Sequence, residues 1–383
     1  MIETSRIAEV LANLVKIESV NPDLVVGGNG EEEIARFVAD FLRATGLEVR
    51  QEEFRSGRWN VVGILHGRGE GKSLMLNGHL DTVGVEGMAD PFSARIEDGR
   101  LYGRGAEDMK GGLAAALVAA ETLAQENSLA GDLVIVGVAD EEFKSLGTRA
   151  LIKNLKTDAA IVMEPTGLQV ATAHKGFAWA DIEVHGRAAH GSRPDEGVDA
   201  IALMGPILIE IGSLQAELSA RPGHPLVGCG SVHASLISGG QELSSYPEKC
   251  LLSLERRLIP GEDAVTFERE LNEIVLRAKS RDPRLRATLR MGYSAMALET
   301  PRESAIAMSL LDAAQAVIGP EARFGFQTFW TDAALLSEAG MPSVLFGPSG
   351  GGLHSAQEFV NLESVRQCAE ALVACARKFC TAP

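Results

Sequence analysis

The chain is short of cysteine, of basic residues and of long apolar runs. Its five cysteines, Cys229, Cys250, Cys368, Cys375 and Cys380, form an odd, scattered set with no CxxC pair. That spacing excludes a disulfide framework and predicts reduced thiols in a cytoplasmic protein. Lys and Arg number 36 against 52 Asp and Glu, a net charge of −16, so duplex nucleic acid and anionic membrane are not expected partners. No stretch reaches 18 uninterrupted apolar residues, and no membrane span is predicted. The first twenty residues have no basic region followed by an apolar run, so no signal peptide is predicted. Ile7, Val10, Leu11, Leu14 and Val15 instead sit at the spacing of an amphipathic helix. No GxGxxG opens a helix after the first strand and no GxxxxGK occurs, which argues against a flavin or nucleotide enzyme.

What is present reads as an ordinary globular protein, 45% hydrophobic and 23% charged. Its 383 residues suit about two domains. Its 41 glycines exceed the usual share of about 7% and predict many tight turns. Helical patterns at 31–45 and from 111 to about 125 alternate with apolar strand-like runs at 59–65, 73–77, 133–139 and 159–163. This alternation predicts an α/β domain with a largely parallel mixed sheet flanked by helices. From 177 the pattern changes. Alternating strands at 177–186 and 250–260, with helices at 197–217 and 262–280, predict a smaller α+β domain at 177–291. The run 343–348 and a helix at 363–379 then return to the first pattern. The first domain is therefore expected over 1–176 and 292–383.

Polar residues gather where the strand-like runs end. SLMLNGHLDT delivers His79 and Asp81, two apart and on one side of an extended segment. A carboxylate there can orient a metal-bound imidazole. Taken alone, the pair also fits a buried histidine bonded to a local carboxylate. Asp108 lies in a glycine-dense turn before a helix, where it can equally be a cap. VADEEF places Asp140, Glu141 and Glu142 together at a strand end, where like charges repel unless exposed or balanced by cations. IVMEP ends on Glu164, and a triple-glycine loop precedes His354. His79, Asp108, Glu142, Glu164 and His354 offer nitrogen and oxygen only, a set suited to Zn²⁺, Co²⁺ or Mn²⁺. Five ligands exceed one four-coordinate catalytic ion and suit two ions sharing a carboxylate.

The order GHLDT, GRGAEDMKGG, DEE, MEP and GLH resembles the metallohydrolase family of acetylornithine deacetylase, succinyl-diaminopimelate desuccinylase, aminoacylase and glutamate carboxypeptidase. The resemblance covers nearly the whole chain. It implies two divalent metal ions per chain, zinc foremost, with cobalt or manganese as alternatives. His79, Asp108 and Glu164 would hold one, and Asp108, Glu142 and His354 the other, with Asp108 bridging. It implies that Asp81 orients His79, that Glu141 is the general base, and that the Asp108–Met109 peptide is cis. It implies that the inserted domain pairs two subunits and that His190 of one stabilises the oxyanion in the other. Arg257 would hold the substrate carboxylate, and the Gly350–Gly352 loop, with Gly351 at its centre, would offer amides to the same anion. Without the resemblance, His190 reads equally as structural, and a surface ion pair is the lesser alternative for Arg257.

The chain departs from its relatives at substrate positions. Ser244 stands where many have Asn, and His174-Lys175-Gly176-Phe177 stands where the desuccinylases carry Arg-Arg-Gly-Ser. Trp330-Thr331-Asp332-Ala333-Ala334 replaces their Thr-Ser-Asp-Gly-Arg. These differences count against a strict desuccinylase. The expected reaction is hydrolysis of an N-acyl amino acid, with dipeptide or carboxypeptidase cleavage as the alternative and a non-catalytic binding protein as a remote one.

Overall fold

The computed structural model describes residues 2–381 and divides into two compact units. The first is Met1–Thr172, Thr300–Phe326 and Thr331–Pro383; the second is Ala173–Glu299 with Gln327–Trp330. The expected boundary at 291 cuts a strand. Arg286–Ala295 runs on, antiparallel to Gly176–His185, until Ala295 pairs with Phe177. Trp330 belongs with this unit because its Nε1 donates to the Met296 carbonyl at 3.0 Å and its ring meets Phe177 edge-on.

In the first unit, four parallel strands form the middle of the sheet, in the order Leu133–Val138, Leu74–His79, Ala159–Val162 and Ser343–Leu345. All four are buried throughout, as strands covered on both faces must be. Antiparallel strands flank them: Glu48–Arg55 and Arg58–Leu65 on one side, Val170–His174 on the other. The charged edge strand EVRQEEFR, mostly solvated, has no apolar alternation to betray it. The parallel strands share a direction, so their carboxyl ends bring His79, Asp140–Glu142 and Glu164 to one rim.

Helix Gly111–Glu126 is buried almost all round and packs against Thr4–Lys16 and Leu362–Phe379. Its first turn presses on the strand leading to Glu164. A Cβ built on Gly112 would lie 2.0 Å from the Met163 carbonyl oxygen and 2.9 Å from its Cβ.

The second unit has four strands rather than the two expected, in the order Ser231–Gly239, Lys249–Leu258, Gly176–His185 and Arg286–Ala295, all antiparallel. The outer two were hidden by their solvated or charged residues. Helices Ala200–Ala220 and Ala264–Arg281 cover one face, meeting Ala178, Ala180, Ile182, Val184, Leu252 and Leu254. The helices start three and two residues later than their sequence patterns suggest. Asp199 and Asp263 accept from the amides of Ala202 and Thr266, at 2.9 and 2.8 Å, and so cap them. By mean hydropathy, rather than by uninterrupted run, Ala200–Ala220 is long and apolar enough to cross a membrane. Its buried stripe is core, however, and its Glu210 pairs with Arg277 and Arg281.

The close approach at Gly112 sets up a contest. Helix propensity favours Gly112→Ala by about 1 kcal/mol, whereas the clash costs about 1–3 kcal/mol and sometimes more. With backbone as the opposing atom, the clash wins. Urea denaturation is expected to show a lowered midpoint for this variant; a raised midpoint would mean that the helix does not sit this close to Met163.

Candidate active site

His79 ends a central strand and is 1% exposed. Its Nδ1 lies 2.8 Å from the Asp81 carbonyl oxygen. A carbonyl only accepts, so Nδ1 carries a proton and Nε2 is the ring nitrogen that points inward. There Nε2 meets Asp108 Oδ1 at 3.0 Å and Glu164 Oε1 at 4.0 Å. On the other side of Asp108, His354 Nε2 lies 3.2 Å from Asp108 Oδ2 and 3.2 Å from Glu142 Oε2. Two groups result, His79–Asp108–Glu164 and Asp108–Glu142–His354, each with ligand atoms within 4.8 Å of one another. Asp108 belongs to both. Glu142 Oε1 is buried without a hydrogen-bond partner.

The charges show what this crowding costs. Burial and the neighbouring Glu164 push the Glu141 carboxyl well above its ordinary range, and burial with Asp108 does the same to Glu164. Glu142 is raised to about 6 by burial and Asp108. Asp108 goes the other way: burial raises it, but its bonds to His354 and His79 hold it well below the usual range. Bonds to Asp108 and Glu142 raise His354 to about 10. Acceptors that converge and disfavour their own charge need a cation or protons between them. The all-nitrogen-and-oxygen donor set, the shared carboxylate and the orphaned Glu142 oxygen fit two divalent cations.

Asp81 corrects an expectation. Its carboxylate is 3.8 Å from His79 Nδ1, too far for a hydrogen bond; its backbone carbonyl takes that proton instead. The carboxylate accepts from the backbone amides of Glu141 and Glu142, at 3.1 and 3.2 Å, and from Asn21 Nδ2 at 2.8 Å. It therefore sets the path of the chain carrying the two glutamates. Asn21 also donates to Asp140. Asp140, at φ 68°, turns away from the two glutamates toward Arg58. Arg58, 3% exposed, grips Glu31 through two nitrogens at 2.7 and 2.6 Å and also pairs with Asp23. The three adjacent acids are thus divided, one neutralised by arginine and two directed to the cluster.

The turn bearing Asp108, with its cis Asp108–Met109 peptide, has its own holder. Glu358, 1% exposed, accepts from the amides of Gly105, Glu107 and Asp108 and from Arg104 Nη1. Sequence reasoning missed Arg58, Asn21, Glu31 and Glu358, which reach the site from distant segments. Asp332 had been noticed only as a departure from relatives. It is buried, accepts from Thr148 Oγ1 at 2.6 Å, and adds charge against Glu141 and Glu164.

The remaining expected residues fall elsewhere. Gly351 lies in the first unit, in a short pairing with Phe359. Lys175, His190, Ser244 and Arg257 lie in the second. Lys175 donates to the Cys229 carbonyl at 2.7 Å. His190 is exposed, with Nδ1 2.8 Å from Ser192 Oγ, and the Ser244 carbonyl accepts from Gly191. Arg257 pairs with Glu255 at 2.7 Å.

Comparison with known proteins agrees with this architecture. Residues 75–378 match the model of peptidase family M20/M25/M40. An acetylornithine deacetylase of Proteus mirabilis is 27% identical over 98% of this chain and 97% of its own, and one of Myxococcus xanthus is 30% identical over 88% and 90%. A tripeptidase structure from Staphylococcus aureus superposes with a TM-score of 0.80 at 20% identity, covering 99% of both chains. A Bacillus subtilis structure described as a dinuclear metal binding peptidase gives 0.73 at 15% identity, covering 97% of both. The chain belongs to peptidase family M20/M25/M40 and is a hydrolase of that family.

The Arg58 network yields a stability expectation. Arg58→Met leaves Glu31 and Asp140 buried and uncompensated, a loss of about 3–5 kcal/mol for a broken buried pair. Denaturant unfolding of the metal-free protein checks this. A loss below about 1 kcal/mol would mean that the acids are solvated or protonated regardless of Arg58.

Proposed function

We propose that the protein hydrolyses the amide bond of an N-acyl amino acid, using two divalent cations and Glu141 as general base. One observation carries the reading: Asp108 joins two ligand groups, and Glu141, a half-buried carboxyl beside the ligand Glu142 and fixed through its backbone amide by Asp81, belongs to neither. Zinc is the first choice of metal, with cobalt or manganese as alternatives. When held by His79, Asp108 and Glu164 and by Asp108, Glu142 and His354, the cations supply Lewis acidity toward the amide carbonyl and make water a stronger acid. Glu141 takes a proton from the attacking water and passes it to the departing nitrogen, so that one carboxyl serves as base and then acid. Asp81, through the backbone amides of Glu141 and Glu142, keeps Glu141 in place. His190, reaching over from the partner subunit, donates to the oxyanion, Arg257 holds the substrate carboxylate, Gly351 offers it an amide, and Lys175 and Ser244 contribute further contacts to the substrate.

The names of the curated relatives, matched over nearly their full length, support the deacylase reading. Peptide-bond hydrolysis is the second reading, favoured by the peptidase names among the solved neighbours. Hydrolysis of N-acetyl-ornithine, N-succinyl-diaminopimelate and a simple dipeptide, before and after chelation and zinc return, separates the two. Glu141→Gln is expected to lower kcat by about 10²–10⁴-fold with two metals per chain retained by elemental analysis. Full turnover in that variant would remove Glu141 from the mechanism.

The reading includes a homodimer formed through the second unit, in a reducing, cytoplasmic setting that suits five free thiols. Strand Ser231–Gly239 is an open sheet edge that exposes Leu236 (72%) and Ile237 (55%), and helix Ala200–Ala220 exposes Ile209 (60%). An apolar edge of this kind invites pairing with a second copy. Sedimentation should find a dimer for the parent protein and a monomer for Ile209→Glu/Ile237→Glu; a parent that is monomeric throughout refutes the pairing.

A further inference from the structure

The chain is poor in aromatics, with 3 Trp, 3 Tyr and 13 Phe in 383 residues, yet it gathers four of them on one patch of the second unit. The Phe177 ring lies 5.2 Å from Trp179, 5.7 Å from Tyr293 and 5.9 Å, edge-on, from Trp330. Phe177 and Trp179 alternate with core residues Ala178 and Ala180, which places the patch on the sheet face opposite the helices. Farther along the same strand this face turns polar, with Asp181, Glu183 and His185. The patch is not sealed: Trp179 is 36% exposed, and Tyr293 and Trp330 are half-buried. A cavity of about 440 Å³ adjoins it, lined in part by Trp179, Leu236, Ser253, Glu255 and Gly292.

Arg257 stands directly across the sheet from Phe177, with its guanidinium carbon 5.7 Å from the ring centroid. Its Nε is taken by Glu255 Oε1, and Glu255 Oε2 accepts from Trp179 Nε1 at 3.1 Å. Glu255 is therefore engaged at both oxygens and fixes both side chains. The two terminal nitrogens of Arg257, the pair whose fork matches a carboxylate, make no hydrogen bond among the described residues.

We propose that this patch selects the side chain of the substrate amino acid, and that the preferred side chain is aromatic or large and apolar. The inference rests on the reading of Arg257 as the residue that holds the substrate carboxylate. A carboxylate held there has its Cα one bond away, so the side chain on that carbon falls within reach of Phe177 and Trp179. Apolar rings beside a few fixed polar groups are the ordinary makeup of a ligand pocket. A cationic side chain such as that of ornithine would meet the positive charge of Arg257 with Glu255 already engaged. A methyl side chain would leave the exposed part of Trp179 in water.

Steady-state kinetics of the zinc-loaded enzyme test this with N-acetyl-phenylalanine, N-acetyl-alanine and N-acetyl-ornithine. The phenylalanine compound is expected to exceed the other two in kcat/KM by about tenfold or more. Trp179→Ala should erase most of the phenylalanine-to-alanine ratio and Trp179→Phe should restore much of it; if the alanine variant does not fold, Trp179→Leu takes its place. Binding of N-acetyl-phenylalanine to the chelated parent protein should perturb tryptophan fluorescence, since two of the three tryptophans line the patch. A preference for N-acetyl-ornithine or N-acetyl-alanine, a ratio unmoved by Trp179→Ala, or a silent fluorescence signal overturns the inference. Arg257→Met is expected to raise KM for all three compounds. An unchanged KM overturns the underlying reading of Arg257 and this inference with it, whereas a raised KM without aromatic preference overturns this inference alone.

Discussion

Carboxylate crowding around Asp108 is the constraint on which the first unit depends. Asp108, Glu141, Glu142, Glu164 and Asp332 share one buried region, where like charges repel far more strongly than in water. The fold treats its buried acids in two ways. Glu31 and Asp140 are closed off by Arg58, and Glu358 by Arg104 together with three backbone amides. In the inner group, His79 and His354 meet the carboxylates through Nε2. Arginine closes off the outer acids, whereas the inner acids crowd against one another around two imidazoles. That asymmetry, more than the presence of histidines, is the physical argument for cations.

The inner group was largely legible in the sequence, and the outer one was not. Buried parallel strands are continuous apolar runs, so their ends stand out, and polar residues at those ends can be read directly as rim residues. The two-residue spacing of His79 and Asp81 is also visible, yet it misled about which atoms meet. Spacing predicts a shared side, and the backbone carbonyl of Asp81 reached the imidazole while its carboxylate turned to the amides of Glu141 and Glu142. Arg58, Asn21, Glu31 and Glu358 join the site through contacts spanning up to about 250 residues, with no local pattern to mark them.

The second unit shows a different blind spot. Its inner strands alternate cleanly because one face lies on two helices, and these were readable. Ser231–Gly239 and Arg286–Ala295 flank them with few buried side chains, so their hydrophobic period is weak. The aromatic patch escaped notice for a related reason. Phe177, Trp179, Tyr293 and Trp330 come from three separate stretches and are joined only by sheet register and by the return of residues 327–330 to this unit.

These two kinds of legibility bear on why similar chains carry names as different as deacetylase and tripeptidase. Water activation and proton transfer at an amide carbonyl ask the same of a site whether the acyl group is acetyl or aminoacyl. The strand-end cluster can therefore stay constant while the substrate changes. What distinguishes one amino-acid product from another is the side chain beyond the carboxylate, and a strand-end carboxylate cluster has no apolar surface with which to read it. On the proposal made above, the residues that do so are the rings beside the Arg257 guanidinium on the second unit, close to positions 174–177 where this chain already departs from the desuccinylase pattern. On that proposal, a change of two or three side chains there alters selectivity at little cost to the buried charge network, because Glu31, Arg58, Arg104, Asp140 and Glu358 all belong to the first unit.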